Sequence, residues 1–404
     1  MENRILNRVL LSAGGTGGHI FPAIAVANEI KLRFPECEIL FVGAEGKMEM
    51  EKVPQSGYKI VGLPIAGLQR KLTFSNFLLP IKILKSMLKA IAVVKEFRPE
   101  IAVGFGGYAS GPTLRAAGKA GVPTVLQEQN SFAGVTNKLL AKRAKAICVA
   151  YEGMELFFQK EKIQLTGNPV RKDFVKLPYS QSEALTKLDF DSTKKTILII
   201  GGSLGARAVN NAVEASLNTW IQRGFQVIWQ CGKIYKANLE AKYKETSGLL
   251  LYDFIYDMAM VYAAADVIVS RAGAMSVSEL SLVGKPVVFM PSPNVAEDHQ
   301  TKNAMALVSK RAALMVRDSE AELKLAEVVS ELIQNENEIS ELKGNIAAFA
   351  RPNATSEIVD TLIEVVYGRA EANVRCHVFL RYWRHWHVGL GALFPSQGSA
   401  RYGL

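Results

Sequence analysis

The sequence predicts an α/β protein made of two doubly wound domains in tandem. Two observations carry the prediction. Short apolar strands alternate with helix-periodic segments along most of the chain, the pattern of parallel sheets built from βαβ units. The opening unit also recurs. A strand at Arg8–Ser12, the glycine loop GGTGG at 14–18 and a helix pattern at 20–34 are repeated by Thr196–Ile200, GGSLGA at 201–206 and a helix pattern at 208–220. A chain of 404 residues has the right length for two such domains.

The remaining strands are expected at 38–42, 101–103, 124–126, 146–149, 227–229, 267–269 and 287–290. Each is short, apolar and bounded by Gly, Pro or Asp, as a strand buried on both faces of a parallel sheet requires. The junction falls near TGNPVR (166–171), which divides the chain into domains at 1–167 and 168–351. From Arg369 the composition turns to arginine, aromatic residues and histidine without a clear period, so 369–404 is expected to be an atypical, disordered tail.

Composition excludes several classes. Hydrophobic residues at 49% with charged residues at 21% describe a globular core. The cysteines, at 37, 148, 231 and 376, have no zinc or redox-dithiol spacing, which points to a reduced, cytosolic setting. The uncharged run 9–28 contains four glycines and Pro22, so it reads neither as a membrane span nor as a signal peptide. The net charge of +10 is concentrated: 68–98 carries +6 and 369–404 carries +4, leaving the rest neutral. A general polyanion binder would be basic all round, and no nucleic-acid partner is expected.

A glycine loop between a parallel strand and a helix presents backbone N–H groups and the positive end of a helix dipole at the sheet's carboxyl edge. That arrangement binds phosphate. GGTGGH (14–19), GFGGYASGP (104–112) and GGSLGA all fit it. A nicotinamide enzyme is disfavoured. Gly104, Gly106 and Ala109 match G-x-G-x-x-A with Glu128 downstream, but they lie several units into the domain, and Gly15-x-Gly17-x-x-Ile20 lacks the third glycine. No G-x-x-x-x-G-K-[ST] occurs, which argues against a P-loop nucleotidase.

In order and spacing, GGTGGHIFPA (14–23), GFGGYASGP, EQN (128–130), TGNPVR, GGSLGA, SRAGAMSVSE (270–279) and DHQTKNA (298–304) resemble one family across residues 8–367. It is that of the bacterial lipid II-forming N-acetylglucosaminyltransferases of peptidoglycan synthesis. The resemblance implies the GT-B fold, with two Rossmann-like domains facing a cleft and a C-terminal helix around 352–367 packing back on the first domain. It implies inverting transfer of N-acetylglucosamine from UDP-GlcNAc to the MurNAc C4 hydroxyl of lipid I, with no cofactor. It also implies a peripheral protein on the cytoplasmic face of the bacterial inner membrane, beside other cell-wall synthesis proteins.

Such a transfer needs a base for the attacking hydroxyl, positive potential for the departing diphosphate and hydrogen bonds to orient the sugar. His19 is the candidate base, because a helix N-terminus disfavours imidazolium and leaves the ring able to accept a proton. A histidine that only packs the loop is the alternative, and Glu128 is the competing base. The resemblance assigns Thr16, Gly17, Gly18, Asn130, Arg171, Ser203, Ile255, Ala274, Met275, Ser276, Val277, Ser278, Glu279 and Gln300 to UDP-GlcNAc. Within that set Arg171 would face the diphosphate, Glu279 the ribose and the Ile255 backbone the uracil. Amides at Asn130 and Gln300 suit sugar hydroxyls because they donate and accept at once. Gly14, Gly15, Gly104, Gly106, Gly107 and Tyr108 are assigned to the acceptor diphosphate. Where related chains carry a second glutamine, this one has Thr301.

Asp189-Phe190-Asp191 is a D-x-D triplet of the kind metal-dependent glycosyltransferases use, but it sits away from every glycine loop and is expected to be a solvated turn. No metal is expected, since loop amides and Arg171 can carry the leaving-group charge. Lys82, Lys85 and Lys89 adjoin a stripe of Ile81, Leu84, Leu88 and Ile91, and residues 68–98 are expected to touch an anionic membrane surface. The alternative buries that stripe in the core. Cys376, His377, His385 and His387 fit no closed metal site. A UDP-GlcNAc 2-epimerase and a nucleotide-sugar-binding membrane adaptor without turnover are the rival functions.

Overall fold

The computed structural model describes residues 5–65, 79–170, 174–202 and 204–368. Arg171, Ser203, residues 66–78 with the first part of the basic segment 68–98, and the 369–404 tail lie outside the described residues.

Strands β1 (Arg8–Ser12), β2 (Glu38–Ala44), β3 (Lys59–Leu63), β4 (Ile101–Gly104), β5 (Thr124–Glu128), β6 (Ala146–Val149) and β7 (Ile163–Leu165) form one parallel sheet. Its order is β3-β2-β1-β4-β5-β6-β7. Strands β8 (Thr196–Ile200), β9 (Gln226–Gln230), β10 (Leu249–Tyr252), β11 (Val267–Ser270), β12 (Val287–Phe289) and β13 (Leu314–Met315) form a second, in the order β10-β9-β8-β11-β12-β13. Counted from its own first strand, each sheet begins 3-2-1-4-5-6. This is the doubly wound order, with a crevice where the winding reverses beside the first strand. The two-domain α/β architecture expected from the repeat is present.

Every strand expected from the sequence is found, and four more appear. Those four are β3, β7, β10 and β13, the outermost strand at each end of both sheets. The difference is one of burial: β5 and β9 are buried throughout, whereas β7 and β10 are only half-buried along their whole length.

Two helices depart from the simplest layout. The Gly17–Arg33 helix begins three residues before the expected start at 20, so the second half of the glycine loop is its first turn, capped at an extended Thr16. The Ala354–Tyr367 helix packs Ile358, Val359 and Leu362 into the first core beside Ile20, Ala23 and Ala27, although the chain reaches it from the second sheet. Arg33 reaches Asp360 at 2.5 Å, and the Tyr367 hydroxyl donates to the Ile5 carbonyl. The chain therefore passes between the sheets twice, and the passages touch: a Cβ on Gly167 (φ +87°) would stand 2.4 Å from the Arg351 Cβ. Cys37, Cys148 and Cys231 are buried and unpaired; burial pushes the Cys37 thiol up to about 11 and Cys148 up to about 12, so neither is a reactive thiolate.

Candidate active site

The carboxyl edge of β1 and β4 carries the first constellation. Past β1 the backbone turns at Gly15 (φ +87°), and past β4 it turns twice, at Gly106 (φ +101°) and Gly107 (φ +86°). These conformations favour glycine, and close approach adds a second reason. A Cβ on Gly107 would stand 2.4 Å from the Gly14 carbonyl oxygen. Gly14, Gly104, Gly106 and Gly107 are thus packed at one edge, with Gly15, Thr16 and Tyr108 exposed above them.

His19 lies in the first turn of the Gly17–Arg33 helix, two residues after Gly17 and one after Gly18. Its Nδ1 is 2.9 Å from the Gly14 carbonyl oxygen. A carbonyl only accepts, so Nδ1 carries the proton and the neutral ring keeps its lone pair on Nε2. Nε2 faces Gly106, where a Cβ would stand 3.0 Å away. A side chain at 106 would cover the one ring atom able to take a proton.

Glu128 ends β5 and is 2% exposed. One oxygen accepts from the Asn130 amide (3.1 Å) and side chain (3.2 Å), the other from the Gly134 amide (3.0 Å) and Asn137 (2.8 Å). Four donors fold the 128–137 loop around this carboxylate, so Glu128 orients Asn130. The loop also meets the second domain. Asn303, on the His299–Val308 helix, is fully buried; its Oδ1 accepts from the Ser131 amide (2.9 Å) and hydroxyl, and its Nδ2 donates to Asn130 Oδ1 (3.2 Å). Lys302 places Nζ 3.2 Å from the centre of the Phe132 ring, whose other cationic neighbour is Lys138 at 4.0 Å.

Asn168, in the passage between the domains, is the second tie. It accepts from Gln127 (2.9 Å) and donates to the Gln129 carbonyl and to the Ser278 hydroxyl, each at 2.9 Å. Ser278 belongs to the Ala274–Val283 helix, which starts from an extended Gly273 after β11. Ala274, Met275 and Ser276 occupy its half-buried first turn, while Val277 is core: its side chain is 2% exposed and its amide bonds the Gly273 carbonyl at 2.9 Å. Glu279 lies one residue past Ser278 and accepts from the Tyr262 hydroxyl at 2.5 Å. The Ile255 side chain is also core, 3% exposed, between exposed Phe254 and Tyr256. Gln300 accepts from the Ser292 amide at 2.9 Å, and Thr301 bonds Asp298 instead of reaching outward.

The GGSLGA loop leaves β8 at the equivalent edge of the second sheet. Gly205 (φ +75°) packs directly on the next loop, where a Cβ would stand 2.2 Å from the Cys231 carbonyl oxygen. Asn210 holds this pair of loops, donating to that carbonyl at 2.9 Å and accepting from the Trp229 indole. Asp191 of the D-x-D triplet precedes β8, at the opposite edge of the sheet, and accepts from the Thr193 amide and hydroxyl in a local turn. Among the described residues, no group of three His, Cys, Asp or Glu side chains could hold a metal ion.

Sequence reasoning placed Asn168 and Asn303 inside its motifs without singling them out. It passed over Glu49 altogether, a fully buried glutamate beneath the first glycine loop. Their places in TGNPVR and DHQTKNA were the available signal for the first two. For Glu49 there was none along the chain, because its burial comes from Gly14 and Gly43, which lie in other elements.

Two doubly wound domains, tied together by Asn168 and Asn303 and carrying glycine loops and a positioned histidine at their carboxyl edges, define a glycosyltransferase of the GT-B class. The particular family follows from comparison. Residues 9–149 match the glycosyltransferase family 28 N-terminal domain and residues 196–358 the glycosyltransferase family 28 C-terminal domain. The chain belongs to glycosyltransferase family 28. It is 52% identical over 362 residues to a protein of Flavobacterium psychrophilum named UDP-N-acetylglucosamine–N-acetylmuramyl-(pentapeptide) pyrophosphoryl-undecaprenol N-acetylglucosamine transferase, covering 89% of this chain and 98% of that one. A Bacteroides thetaiotaomicron protein of the same name is 54% identical, covering 89% and 97%. The crystal structure of Acinetobacter baumannii MurG superposes with a TM-score of 0.73 at 31% identity, covering 89% and 99%.

Proposed function

We propose that this chain transfers N-acetylglucosamine from UDP-GlcNAc to the MurNAc C4 hydroxyl of undecaprenyl-pyrophosphoryl-MurNAc-pentapeptide, forming lipid II with inversion at the sugar. The observation that carries this function is the 52% identity, over nearly the whole chain, to a transferase named for that reaction. The site geometry supports the chemistry. His19 takes the proton of the attacking hydroxyl at Nε2, since Nδ1 is committed to Gly14. Glu128 is less suited to that role because both its oxygens are engaged by four donors. The glycine edge of β1 and β4 receives the acceptor diphosphate through Gly14, Gly15, Gly104, Gly106, Gly107 and Tyr108. UDP binds against the second sheet, with Glu279 on the ribose and the Ile255 backbone on the base. Arg171 and Ser203 belong to this proposal by position in the sequence.

The Leu79–Phe97 helix supports contact with an anionic membrane face. It turns Ser86, Ala90, Val93 and Val94 inward and leaves Ile81, Leu84, Leu88 and Ile91 between 41% and 60% exposed. Lys82 and Lys85 follow the apolar stripe, and Lys89 pairs with Glu45 at 2.9 Å. Among the described residues, no helix is long and apolar enough to cross a membrane.

The test of the function is UDP release. A transferase releases UDP only when the lipid-linked acceptor is added, whereas release without acceptor would favour an epimerase or hydrolase and overturn the proposal. For the membrane face, changing Lys82, Lys85 and Lys89 to Glu should weaken binding to anionic liposomes by about 1 kcal/mol or more per residue. Turnover of a short, water-soluble acceptor should be kept. Equal loss on both acceptors would make this helix structural.

A further inference from the structure

Beneath the first glycine loop lies a carboxylate that the proposed chemistry does not use. Glu49 opens the short Glu49–Gln55 helix and is fully buried. Its two oxygens accept from two backbone amides, Ala44 at 2.9 Å and Gly15 at 3.0 Å. Among the described residues no Lys or Arg forms an ion pair with it. Space is made for it on both sides: a Cβ on Gly14 would stand 2.3 Å from its Oε1, and one on Gly43 would stand 2.5 Å from its Cγ. Burying a carboxylate is costly, and this one takes an amide from a loop of the kind that otherwise offers its amides to phosphate.

The Gly15 N–H and the Gly14 carbonyl belong to one peptide unit. A trans peptide is planar, with its N–H and C=O pointing in opposite directions. Glu49 holds the N–H end, and the His19 Nδ1–H donates to the carbonyl end at 2.9 Å. The unit joins two glycines, one at φ +87°, and such a unit has little steric resistance to turning over. If it turned over, an N–H would face Nδ1 where a carbonyl now stands, and the ring would have to place its proton on Nε2.

We infer that Glu49 is the positioning residue for His19: by clamping the Gly14–Gly15 peptide it fixes the Nδ1–H tautomer and keeps the Nε2 lone pair available to the acceptor hydroxyl. The inference rests on His19 being the base, and the tests keep the two ideas apart. Glu49→Gln keeps the size but sets an NH₂ group against one of the two amide donors, which frees the peptide to turn. Turnover should fall about tenfold or more while the donor KM stays within about twofold, because base catalysis is lost while the second sheet, where the proposal puts UDP, is untouched. The direct readout is ¹⁵N NMR of histidine-labelled protein, in which His19 is one of five histidines and is assigned from its absence in His19→Ala. Wild type should show a protonated Nδ1, and Glu49→Gln a mixture containing protonated Nε2. Glu49→Asp, which keeps the charge but withdraws the oxygens by one methylene, should shift the same signals less and serves if the glutamine variant does not fold. In the His19→Ala background, Glu49→Gln should cost no further turnover.

An unchanged tautomer in the folded variants would overturn the inference, as would an equal loss of turnover with and without His19. Full turnover by His19→Ala would remove the base reading alone, and a tautomer shift would still support the clamp.

Discussion

The two glycine loops that open the two sheets occupy the same place in the same winding, yet they are held in different ways. GGTGGH is held from below by a buried carboxylate, Glu49, and from the side by the glycine pair after β4. Among the described residues, neutral groups surround the glycines of GGSLGA: the Cys231 carbonyl, the Asn210 side-chain amide and the Tyr235 ring. The difference separates two demands on one scaffold. On the reading of His19 as the base, the first loop must fix a peptide orientation and with it a proton, and Glu49 is the acceptor that does so. On the proposed reading the second loop offers its amides and helix dipole to the donor diphosphate, whereas in the first loop the Gly15 amide is taken by Glu49.

Removing the base gives the largest contrast between the two edges. His19→Ala should lower kcat about 10²-fold or more and leave UDP affinity nearly unchanged, because general base catalysis supplies 10²–10⁴ and the proposal puts the nucleotide on the other sheet. Steady-state kinetics with UDP as a competitive inhibitor measures both quantities; unchanged kcat would move the base elsewhere and erase the distinction. Glu279→Ala should do the converse, raising the donor KM about tenfold with a smaller change in kcat, since hydrogen bonds to a charged group contribute about 1.5–3 kcal/mol. A 2′-deoxyribose donor sharpens this. Wild type should discriminate against it, whereas the alanine variant should largely lose that preference.

Smaller effects test how the second loop is held. Gly202 has φ +84° and open space where a Cβ would go, so Gly202→Ala should cost only the left-handed backbone penalty, about 1–2 kcal/mol by denaturant unfolding. Gly205→Ala adds a clash with the Cys231 carbonyl and should cost more. Equal losses would mean that close packing between the loops is unimportant. The smallest expected effect is that of a chelator. If amides and dipoles carry the leaving-group charge, turnover should be unchanged after exhaustive chelation, and rescue by magnesium of an inactivated enzyme would contradict the neutral-loop picture.

The strands visible in the sequence and those that were not divide along one physical line. β1, β4, β5, β8 and β11 lie inside their sheets, and each carries a buried apolar run, such as VLL in β1 and VIV in β11. Edge strands such as β7 (IQL) and β13 (LM) are two or three residues long and half-buried, and nothing in so short a segment separates them from a loop. The helix start at Gly17 was missed for a related reason. Glycine is a poor helix former, but at the first turn the position is set by Thr16, whose carbonyl accepts from the amides of His19 and Ile20.

What the sequence determined by itself was the repeat, the order of the glycine loops and the identity of the polar residues beside them, because those depend on local spacing. The tertiary structure alone decided which of those residues turn outward and which are bound or buried. Val277, inside a motif, and Ile255, expected at the uracil, both turn their side chains into the core. Glu128 stands where a base could stand yet has both oxygens bound, and Asn303 reaches across the domains to Asn130. Glu49 lies in a polar stretch and is buried only because Gly14 and Gly43 lack side chains. In each case the deciding partner comes from another element of the fold, and local spacing carries no information about groups that folding brings together.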